Sequence, residues 1–405
     1  MAVGLGALPA FFPVAGIRLG VVSAGIKKTG RKDLVLIEAA PGSRVAGIFT
    51  RNQFCAAPVM VTREHLARSP ARYLLINTGN ANAGTGERGL ADARACCEAV
   101  ADGAGVEASE VLPFSTGVIG EPLPLERILS ALPSALTALD ENGWADAAEG
   151  IMTTDTLPKG VTRQVKLGDE TITISGISKG AGMIRPNMAT MLGFITTDAC
   201  IEPRLLQSLA SELGEASFNR ITIDGDTSTN DACMLIATGQ ANRLEITRES
   251  PFLAGLKEAL REVYLTLAHA IVRDGEGATK FVTIDVRAAK SQEEALEVAY
   301  TLAHSPLVKT ALYACDPNWG RILAAVGRAQ VANLDINALT IHLNDVCLVA
   351  RGGRADSYRE EQGQAAMNQE EITITVDLKR GDIGERVWTC DFSHDYVTIN
   401  AEYRT

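Results

Sequence analysis

The chain has 405 residues, 46% of them apolar and 21% charged, which is the balance of a globular protein and excludes a disordered or fibrous class. Because single hydrophobic cores rarely grow beyond about 250–300 residues, this length predicts two or three domains. The net charge of −11 argues against a nucleic-acid partner, and no stretch reaches the roughly 20 apolar residues of a membrane span. The apolar start has no basic segment and contains Pro9 and Pro13, so we expect no secretory signal.

Strand and helix patterns alternate through the first half of the chain. Helical periodicity is found over 88–101, with Gly103 just past the helix end, and over 123–139, where we expect Pro133 to interrupt the helix. Short runs of apolar and β-branched residues, two of which flank Gly168 as a hairpin, predict strands over 34–38, 45–49, 73–77, 161–167 and 171–177.

The second half continues the same mixture. We expect a helix over 203–213 that ends at Gly214, a long helix from Ser250 to about residue 272, and a helix opened by Ser291 with a glutamate three residues later. The polar segment 352–369 is expected to be an exposed loop or linker. Strands are predicted over 221–223, 281–286, 340–343, 372–376 and 387–391. The fold class that follows is mixed α/β.

The cysteines and histidines indicate neither a disulfide framework nor a metal site. The eight cysteines include no C-x-x-C pair and lie mostly in apolar runs, which is typical of buried, reduced thiols in a cytoplasmic protein. The five histidines form no H-x-x-x-H or H-E-x-x-H pattern, so no zinc site is expected.

Two segments imitate known ligand-binding motifs. Gly84, Gly86 and Gly89 spell G-x-G-x-x-G, but a polar loop separates them from the preceding strand, so a glycine-rich turn is favoured over a nucleotide site. An oxidoreductase or nucleotide-binding module that uses Gly84–Gly89 stays as an alternative. The loop 224–231 resembles a calcium loop at its first, third and fifth positions, but it lacks the glycine and the bidentate glutamate such loops need.

The segment 179–192, KGAGMIRPNMATML, is the most unusual part of the chain. Small residues and Met-Ile-Arg-Pro-Asn lead irregularly into a β-branched, apolar strand that begins at Ala189 and Thr190. From the residues alone, Thr190 is favoured to be an ordinary strand threonine, because threonine is common in strands.

That segment resembles the self-cleavage segment of the ornithine acetyltransferase family, also called bifunctional glutamate N-acetyltransferase/amino-acid acetyltransferase, of arginine biosynthesis. Other blocks similar to this family occur in the same order and span essentially the whole chain, and their joint occurrence is specific. They are VAGIFTRN (45–52), INTGNANA (76–83), STGVIG (115–120), IMTTDT (151–156), FNRITIDGDTSTND (218–231), VRDGEGATK (272–280) and DPNWGR (316–321).

The resemblance implies that the chain cuts itself between Ala189 and Thr190 and that Thr190 then becomes the nucleophile. A free α-amine titrates near ~7.7–8.0, so it can be neutral beside the threonine hydroxyl and act as its base. Acetyl would pass from N-acetyl-L-ornithine to Thr190 and then to L-glutamate, without a metal or other cofactor. The oxyanion hole of the family corresponds to Thr116 and Gly117, although from sequence alone an ordinary turn after a strand is favoured for this segment.

The substrate contacts of the family fall on Thr153, Lys179, Thr190, Glu276, Asn400 and Thr405. Lys179 would pair with a substrate carboxylate and Glu276 with an ammonium group, although a solvated lysine and a simple turn are the alternatives from sequence. Thr154 is adjacent to Thr153 and stays open as the contact. Asn400 and Thr405 require the C-terminal tail to be held at the site, through the strand-like residues 396–399.

The resemblance also implies an architecture and partners. The fold would be a layered α/β sandwich reminiscent of N-terminal-nucleophile hydrolases but of different topology, with a smaller C-terminal lobe from about residue 281. Cleavage would give chains 1–189 and 190–405, assembled as a heterotetramer of two α and two β chains. Basic and acidic residues balance in the first, so the second carries the whole charge of −11. Acetyl-CoA as a second donor and an N-terminal-nucleophile aminopeptidase stay open as alternatives.

Overall fold

The computed structural model describes residues 2–27, 29–185, 191–241 and 244–402. Its contacts divide the chain into two compact units. The first, which we call the sandwich unit, contains Ala7–Asn219 and Asp226–Ile271. The second, which we call the lobe unit, contains Met1–Gly6, Arg220–Gly225 and Val272–Thr405.

Two β-sheets form the centre of the sandwich unit. The first has the order β1-β2-β4-β5, and the second has the order β3-β9-β8-β7-β6. Their strands are β1 (Ile17–Val22), β2 (Leu34–Ala39), β3 (Arg44–Phe49), β4 (Tyr73–Asn80), β5 (Val111–Val118), β6 (Lys159–Leu167), β7 (Glu170–Lys179), β8 (Leu192–Thr197) and β9 (Ala232–Ala237). β4 and β5 are parallel, as are β8 and β9, whereas β6 and β7 form the predicted hairpin.

The two sheets pack face to face, and helices cover their outer faces. Leu74 and Ile76 of β4 share one core cluster with Phe194 of β8, which joins the sheets. Leu75 of the same strand belongs to another cluster with Cys97 of a covering helix. Strand side chains alternate between faces, so β4 is apolar on both sides because both sides are buried. The sandwich architecture predicted from the family resemblance is confirmed.

The helices of the sandwich unit are α1 (Ala57–Arg68), α2 (Gly86–Ala104), α3 (Leu125–Thr137), α4 (Trp144–Gly150), α5 (Pro203–Glu215) and α6 (Leu253–Arg273). Three predicted helix ends were wrong. α2 continues through Gly103 and stops at Gly105, whose φ of +69° is the left-handed conformation that glycine supplies at helix ends. Gly214 lies inside α5, where a Cβ would meet Ile48 Cδ1 at 2.1 Å, so this glycine permits packing rather than ending the helix. α6 starts three residues after Ser250, following a turn.

Pro133 does not interrupt α3, contrary to the prediction. The helix runs unbroken from Leu125 to Thr137 with Pro133 inside it. Pro133 is on the exposed side of the helix, whereas Leu132 and Ala135 on the other side are buried. A proline removes one backbone hydrogen bond, and burial of the apolar face offsets that loss here.

The lobe unit is built on one six-stranded sheet of order β13-β12-β11-β14-β10-β15. Its strands are β10 (Phe281–Ala289), β11 (Thr340–Leu343), β12 (Val346–Ala350), β13 (Gly353–Arg354), β14 (Glu371–Asp377) and β15 (Ile383–Cys390). Its helices are α7 (Gln292–Ala303), α8 (Pro306–Tyr313), α9 (Trp319–Gly327), α10 (Glu360–Met367) and α11 (His394–Ala401). An apolar core lies between the sheet and helices α7 to α10 and includes Ile284, Val298 and Ile374.

Predictions for the lobe unit were confirmed in part. Ser291 caps α7, because its hydroxyl accepts the Glu294 N–H at 3.2 Å. The segment 352–369 is not a loop throughout, since it holds β13 and α10. Residues 221–223 form only an isolated bridge, through Ile221. Residues 396–399 are part of helix α11 rather than a strand.

Two features of the whole chain complete the description. All eight cysteines are free, as predicted, and four of them are buried, namely Cys96, Cys97, Cys233 and Cys390. Burial raises the pKa of the Cys233 thiol to about 12. In the described part of the chain, no helix is both long and apolar enough to cross a membrane.

Candidate active site

The residues predicted to form an oxyanion hole lie at the end of β5. Thr116 is buried, and Gly117 follows it with a φ of +136°. β4 runs parallel beside them and pairs Gly79 with Gly117. A Cβ on Gly117 would lie 2.3 Å from the carbonyl carbon of Gly79, so only glycine allows the two backbones to come this close.

Lys179 is brought to the same place from the second sheet. It is the last residue of β7 and only 3% exposed, and its Nζ donates to Thr116 Oγ1 at 3.4 Å. β7 pairs antiparallel with β8, so that Lys179 is opposite Leu192. A buried ammonium group and a hydroxyl therefore lie next to the start of β8, two residues after Thr190 in the chain.

Asp155 organises this site, although it was not among the predicted site residues. Its Oδ2 accepts the Thr153 N–H at 2.9 Å, and its Oδ1 accepts the Gly180 N–H at 2.7 Å. Lys159 Nζ also donates to Oδ1, at 2.6 Å, and both side chains of this ion pair are fully buried. One carboxylate thus ties together the predicted contact Thr153 and the residue after Lys179. Its place inside the family-like block 151–156 was the available signal.

The charges around Asp155 set its protonation state. Burial acts to raise the pKa of this carboxyl, but the Lys159 and Lys179 ammonium groups outweigh burial and hold the pKa well below its usual range. Lys179 brings a buried ammonium group next to Thr116. Such a charge suits an anion, whether a carboxylate or the oxyanion of a tetrahedral intermediate.

The predicted cleavage residues Ala189 and Thr190 lie outside the described residues. The next residue, Met191, is buried and held on both sides of its backbone. Its N–H donates to Asp231 Oδ1 at 2.8 Å, and its carbonyl accepts the Ala232 N–H at 3.2 Å. Burial raises the pKa of Asp231 well above its usual range, against the opposing effects of the Met191 N–H and Lys179.

The remaining predicted contacts belong to the lobe unit. Glu276 is buried in the turn after α6, and its Oε2 accepts from Asn400 Nδ2 at 2.8 Å. Asn400 lies near the end of α11, and its amide also donates to the Tyr396 carbonyl at 2.9 Å. At Gly277 a Cβ would meet Ser393 Oγ at 2.4 Å, so this glycine allows α11 to start against the turn. Thr405 lies outside the described residues.

The two segments that imitate ligand-binding motifs, 84–89 and 224–231, form hydrogen bonds within the protein. In the glycine-rich segment, Thr85 Oγ1 donates to Asn82 Oδ1 at 2.8 Å, and Asn82 Nδ2 donates to the Gly89 carbonyl at 2.9 Å. In the acidic loop, the Ser228 carbonyl accepts from Thr50 Oγ1 at 2.8 Å. The bonds of the glycine-rich segment explain Asn82 and Thr85 as loop closure.

Comparison with known proteins agrees with the resemblance found in the sequence. A sequence model of the ArgJ family matches residues 18–405. Proteins named "Arginine biosynthesis bifunctional protein ArgJ" from Pseudomonas fluorescens (strain Pf0-1) and Pseudomonas syringae pv. tomato (strain ATCC BAA-871 / DC3000) are 61% and 60% identical, over 100% of both chains. A crystal structure of the protein of that name from Bacillus halodurans is 39% identical, with a TM-score of 0.50, and covers 52% of this chain and 99% of the solved chain. The chain therefore belongs to the ArgJ family, the acetyltransferase family of arginine biosynthesis that its sequence resembles.

Proposed function

We propose that this protein is a self-processing acetyltransferase that moves acetyl from N-acetyl-L-ornithine to L-glutamate through an ester on Thr190. Membership of the ArgJ family carries the general function, an acetyltransferase of arginine biosynthesis. The observation that supports the proposed chemistry is the buried contact of 3.4 Å between Lys179 Nζ and Thr116 Oγ1, beside the strand that follows Thr190.

Self-processing begins when the Thr190 hydroxyl attacks the Ala189 carbonyl carbon. The peptide C–N bond breaks, the nitrogen takes a proton and an ester forms, and water then releases Ala189 as a carboxylate. Thr190 keeps its hydroxyl and gains a free α-amine, which serves as the base for the next reaction. The Bacillus halodurans chain corresponds to about half of this chain, which is the proportion that cleavage after residue 189 would give.

Acetyl transfer repeats this chemistry on the substrate. The Thr190 hydroxyl attacks the acetyl carbonyl of N-acetylornithine, and its proton passes through the α-amine to the departing nitrogen of ornithine. The α-amine of glutamate then attacks the acetyl ester and restores the hydroxyl. Both steps pass through an oxyanion, which the Thr116 hydroxyl and the Gly117 N–H would stabilise together with the positive charge of Lys179.

Substrate recognition would use both kinds of charge found at the candidate residues. Lys179 and the Thr153 region would receive a carboxylate, since Asp155 fixes both of them and Lys159 neutralises Asp155. Glu276, held by Asn400, would receive an ammonium group of ornithine. Ornithine and glutamate both carry these two kinds of group.

The proposal also covers the second acetyl donor, the cellular location and the assembly of the enzyme. The word "bifunctional" in the names of the Pseudomonas relatives supports a second activity, for which we propose acetyl-CoA as the acetyl donor. We also propose a cytoplasmic location, consistent with eight free cysteines, and assembly of the cleaved chains as a heterotetramer. Glutamate acetylation measured with each donor separately, and mass analysis of the native assembly, test these parts.

The central experiment compares the wild-type protein with Thr190→Ala. Wild type should give two chains that begin at Met1 and Thr190, whereas Thr190→Ala should stay a single chain of 43.0 kDa without transferase activity. Thr190→Ser is the matched control, because it keeps a hydroxyl and should still be cut. Two fragments from Thr190→Ala, or transferase activity in it, would contradict the proposal. Release of amino acids from peptides, without acetyl exchange, would favour the aminopeptidase instead.

A further inference from the structure

Two adjacent buried residues, Asn230 and Asp231, connect the candidate oxyanion hole to the strand that follows the proposed nucleophile. They directly precede β9, whose first residue Ala232 pairs with Leu192 of β8. Asn230 is 7% exposed, and Asp231 is fully buried. Asn230 Nδ2 and Asp231 Oδ1 bind backbone groups, so their role lies in the peptide units that they hold.

Asn230 holds the strand of the oxyanion hole. Its Nδ2 donates to the Ser115 carbonyl at 2.9 Å and to the Ala81 carbonyl at 2.6 Å. The Ser115 carbonyl belongs to the same planar peptide unit as the Thr116 N–H, so this bond restrains the orientation of Thr116. The Thr229 hydroxyl donates to Asn230 Oδ1, which fixes the amide with its NH₂ group toward the two carbonyls.

Asp231 holds the start of β8. Its Oδ1 accepts the Met191 N–H at 2.8 Å, and that N–H belongs to the peptide unit that joins Met191 to Thr190. Its Oδ2 has no hydrogen-bond partner among the described residues. Burial raises the pKa of Asp231 well above its usual range, and asparagine keeps the shape of this side chain and an acceptor oxygen.

We propose that Asn230 and Asp231 are positioning residues that fix the distance between the oxyanion hole and the nucleophile, by holding the Ser115–Thr116 and Thr190–Met191 peptide units from two consecutive residues. The inference rests on the proposed function, since it needs Thr190 as nucleophile and Thr116 in the oxyanion hole. Consecutive Cα atoms are ~3.8 Å apart, so one short stretch of backbone links the two held peptide units. A misplacement of about 1 Å at a reacting group costs about 10²-fold in rate.

The test compares Asp231→Ala with Asp198→Ala, a matched control at the opposite end of β8. Asp198 is also buried, and its Oδ1 accepts a strand N–H, that of Thr173, at the same 2.8 Å. Each variant therefore removes a buried carboxyl group that accepts a strand N–H. For Asp231→Ala we expect kcat per cleaved chain to fall about 10²-fold with KM within about threefold, or the chain to stay uncut. Asp198→Ala should be cut normally and keep kcat within about threefold.

Two more variants complete the test. Asp231→Asn should restore kcat and cleavage to within about threefold of wild type, because its amide oxygen can accept the Met191 N–H. If Asp231→Ala does not fold, Asn230→Ala tests the contact with the Ser115 carbonyl instead. This variant should lower kcat at least about tenfold at nearly unchanged KM. Thermal denaturation of each variant gives its folded state independently of its activity.

The outcomes separate the two proposals. Equal losses in Asp231→Ala and Asp198→Ala, a folded Asp231→Asn as impaired as Asp231→Ala, or normal kcat in Asn230→Ala would each overturn the positioning role. If Thr190→Ala is uncut and inactive while the Asp231 and Asn230 variants behave as wild type, only the positioning role fails. If Thr190→Ala keeps its transferase activity, the proposed function fails first.

Discussion

The buried ion pair of Asp155 and Lys159 gives the sharpest test of the site's energetics. In Asp155→Asn the side chain keeps its shape but loses the negative charge that the buried Lys159 ammonium group contacts at 2.6 Å. The Thr153 and Gly180 N–H groups keep one amide oxygen between them where two carboxylate oxygens served before. The substitution should therefore destabilise the sandwich unit and loosen both predicted substrate contacts.

The size of the effect follows from the burial of this pair. Both side chains are 0% exposed, and Nζ and Oδ1 are 2.6 Å apart. Removing one partner of a buried ion pair typically costs about 3–5 kcal/mol, because the other charge stays buried alone. A unit of this size loses about 2–4 °C in its melting midpoint for each kcal/mol. We therefore expect the midpoint of Asp155→Asn to fall by about 6–20 °C.

The assay is calorimetric melting in a Thr190→Ala background, where the chain is expected to stay whole so that unfolding does not separate two polypeptides. Lys159→Met and the double variant complete a double-mutant cycle, and the double variant should lose less stability than the two single losses combined. The matched control is Lys257→Met, which breaks an ion pair with Glu212 of only 2.5 Å whose side chains are 40% and 55% exposed. That control should shift the midpoint by less than about 4 °C.

Two results would contradict the expected effect of burial on the stability that this ion pair contributes. Equal shifts for Asp155→Asn and Lys257→Met would mean that the buried pair contributes no more than an exposed one. Strict additivity in the cycle would mean that Asp155 and Lys159 do not act on each other. Either result would also remove the physical basis for treating Asp155 as the residue that fixes Thr153 and Gly180.

Three other predictions test the site and the core. Since the pKa of Asp155 is lower in the folded state than its ordinary 3.8, its stabilisation is present above about pH 4 and is lost as the pH falls, so acid unfolding between pH 4 and 2 should be less steep in Asp155→Asn. Asn400→Ala removes the 2.8 Å bond to Glu276 and should raise KM for acetylornithine about tenfold at similar kcat; an unchanged KM contradicts the role of Glu276. A thiol-reactive dye at pH 8 should label the four buried cysteines only after unfolding, because burial raises their pKa, and labelling in the native state would contradict this; they are Cys96, Cys97, Cys233 and Cys390.

Most strands could be predicted from the sequence, because a buried strand appears in it as a run of apolar residues. Strand β14 alternates buried and half-exposed residues at period two, and β2 is almost wholly buried, and both were predicted to within one residue at each end. The errors arose where tertiary packing decides. Residues 396–399 are β-branched and aromatic, yet they form helix α11, whose Asn400 bonds to Glu276 far away in the sequence.

In the candidate site too, some residues could be recognised in the sequence, whereas their contacts depend on the fold. The resemblance supplied Thr116, Lys179 and Thr190 as candidates, but no local pattern places Lys179 within 3.4 Å of Thr116, since they lie 63 residues apart on different sheets. Asp155 and Asp231 carry no motif of their own, because an aspartate that binds backbone N–H groups looks the same in sequence as a surface aspartate. Their roles depend on burial, which only the fold reveals.

The second sheet of the sandwich unit has a consequence for how the enzyme would persist once cut. β7 and β8 are hydrogen-bonded neighbours from Ile174–Thr197 to Lys179–Leu192, and the proposed cut falls in the segment that joins them. Before the cut, opened strands rejoin within one polypeptide, at a rate independent of concentration. After the cut, β7 and β8 belong to different polypeptides, so their reassembly is a bimolecular association. The lifetime of the mature enzyme would then be set by how slowly this sheet opens, which makes maturation a one-way step from reversible folding to kinetic stability.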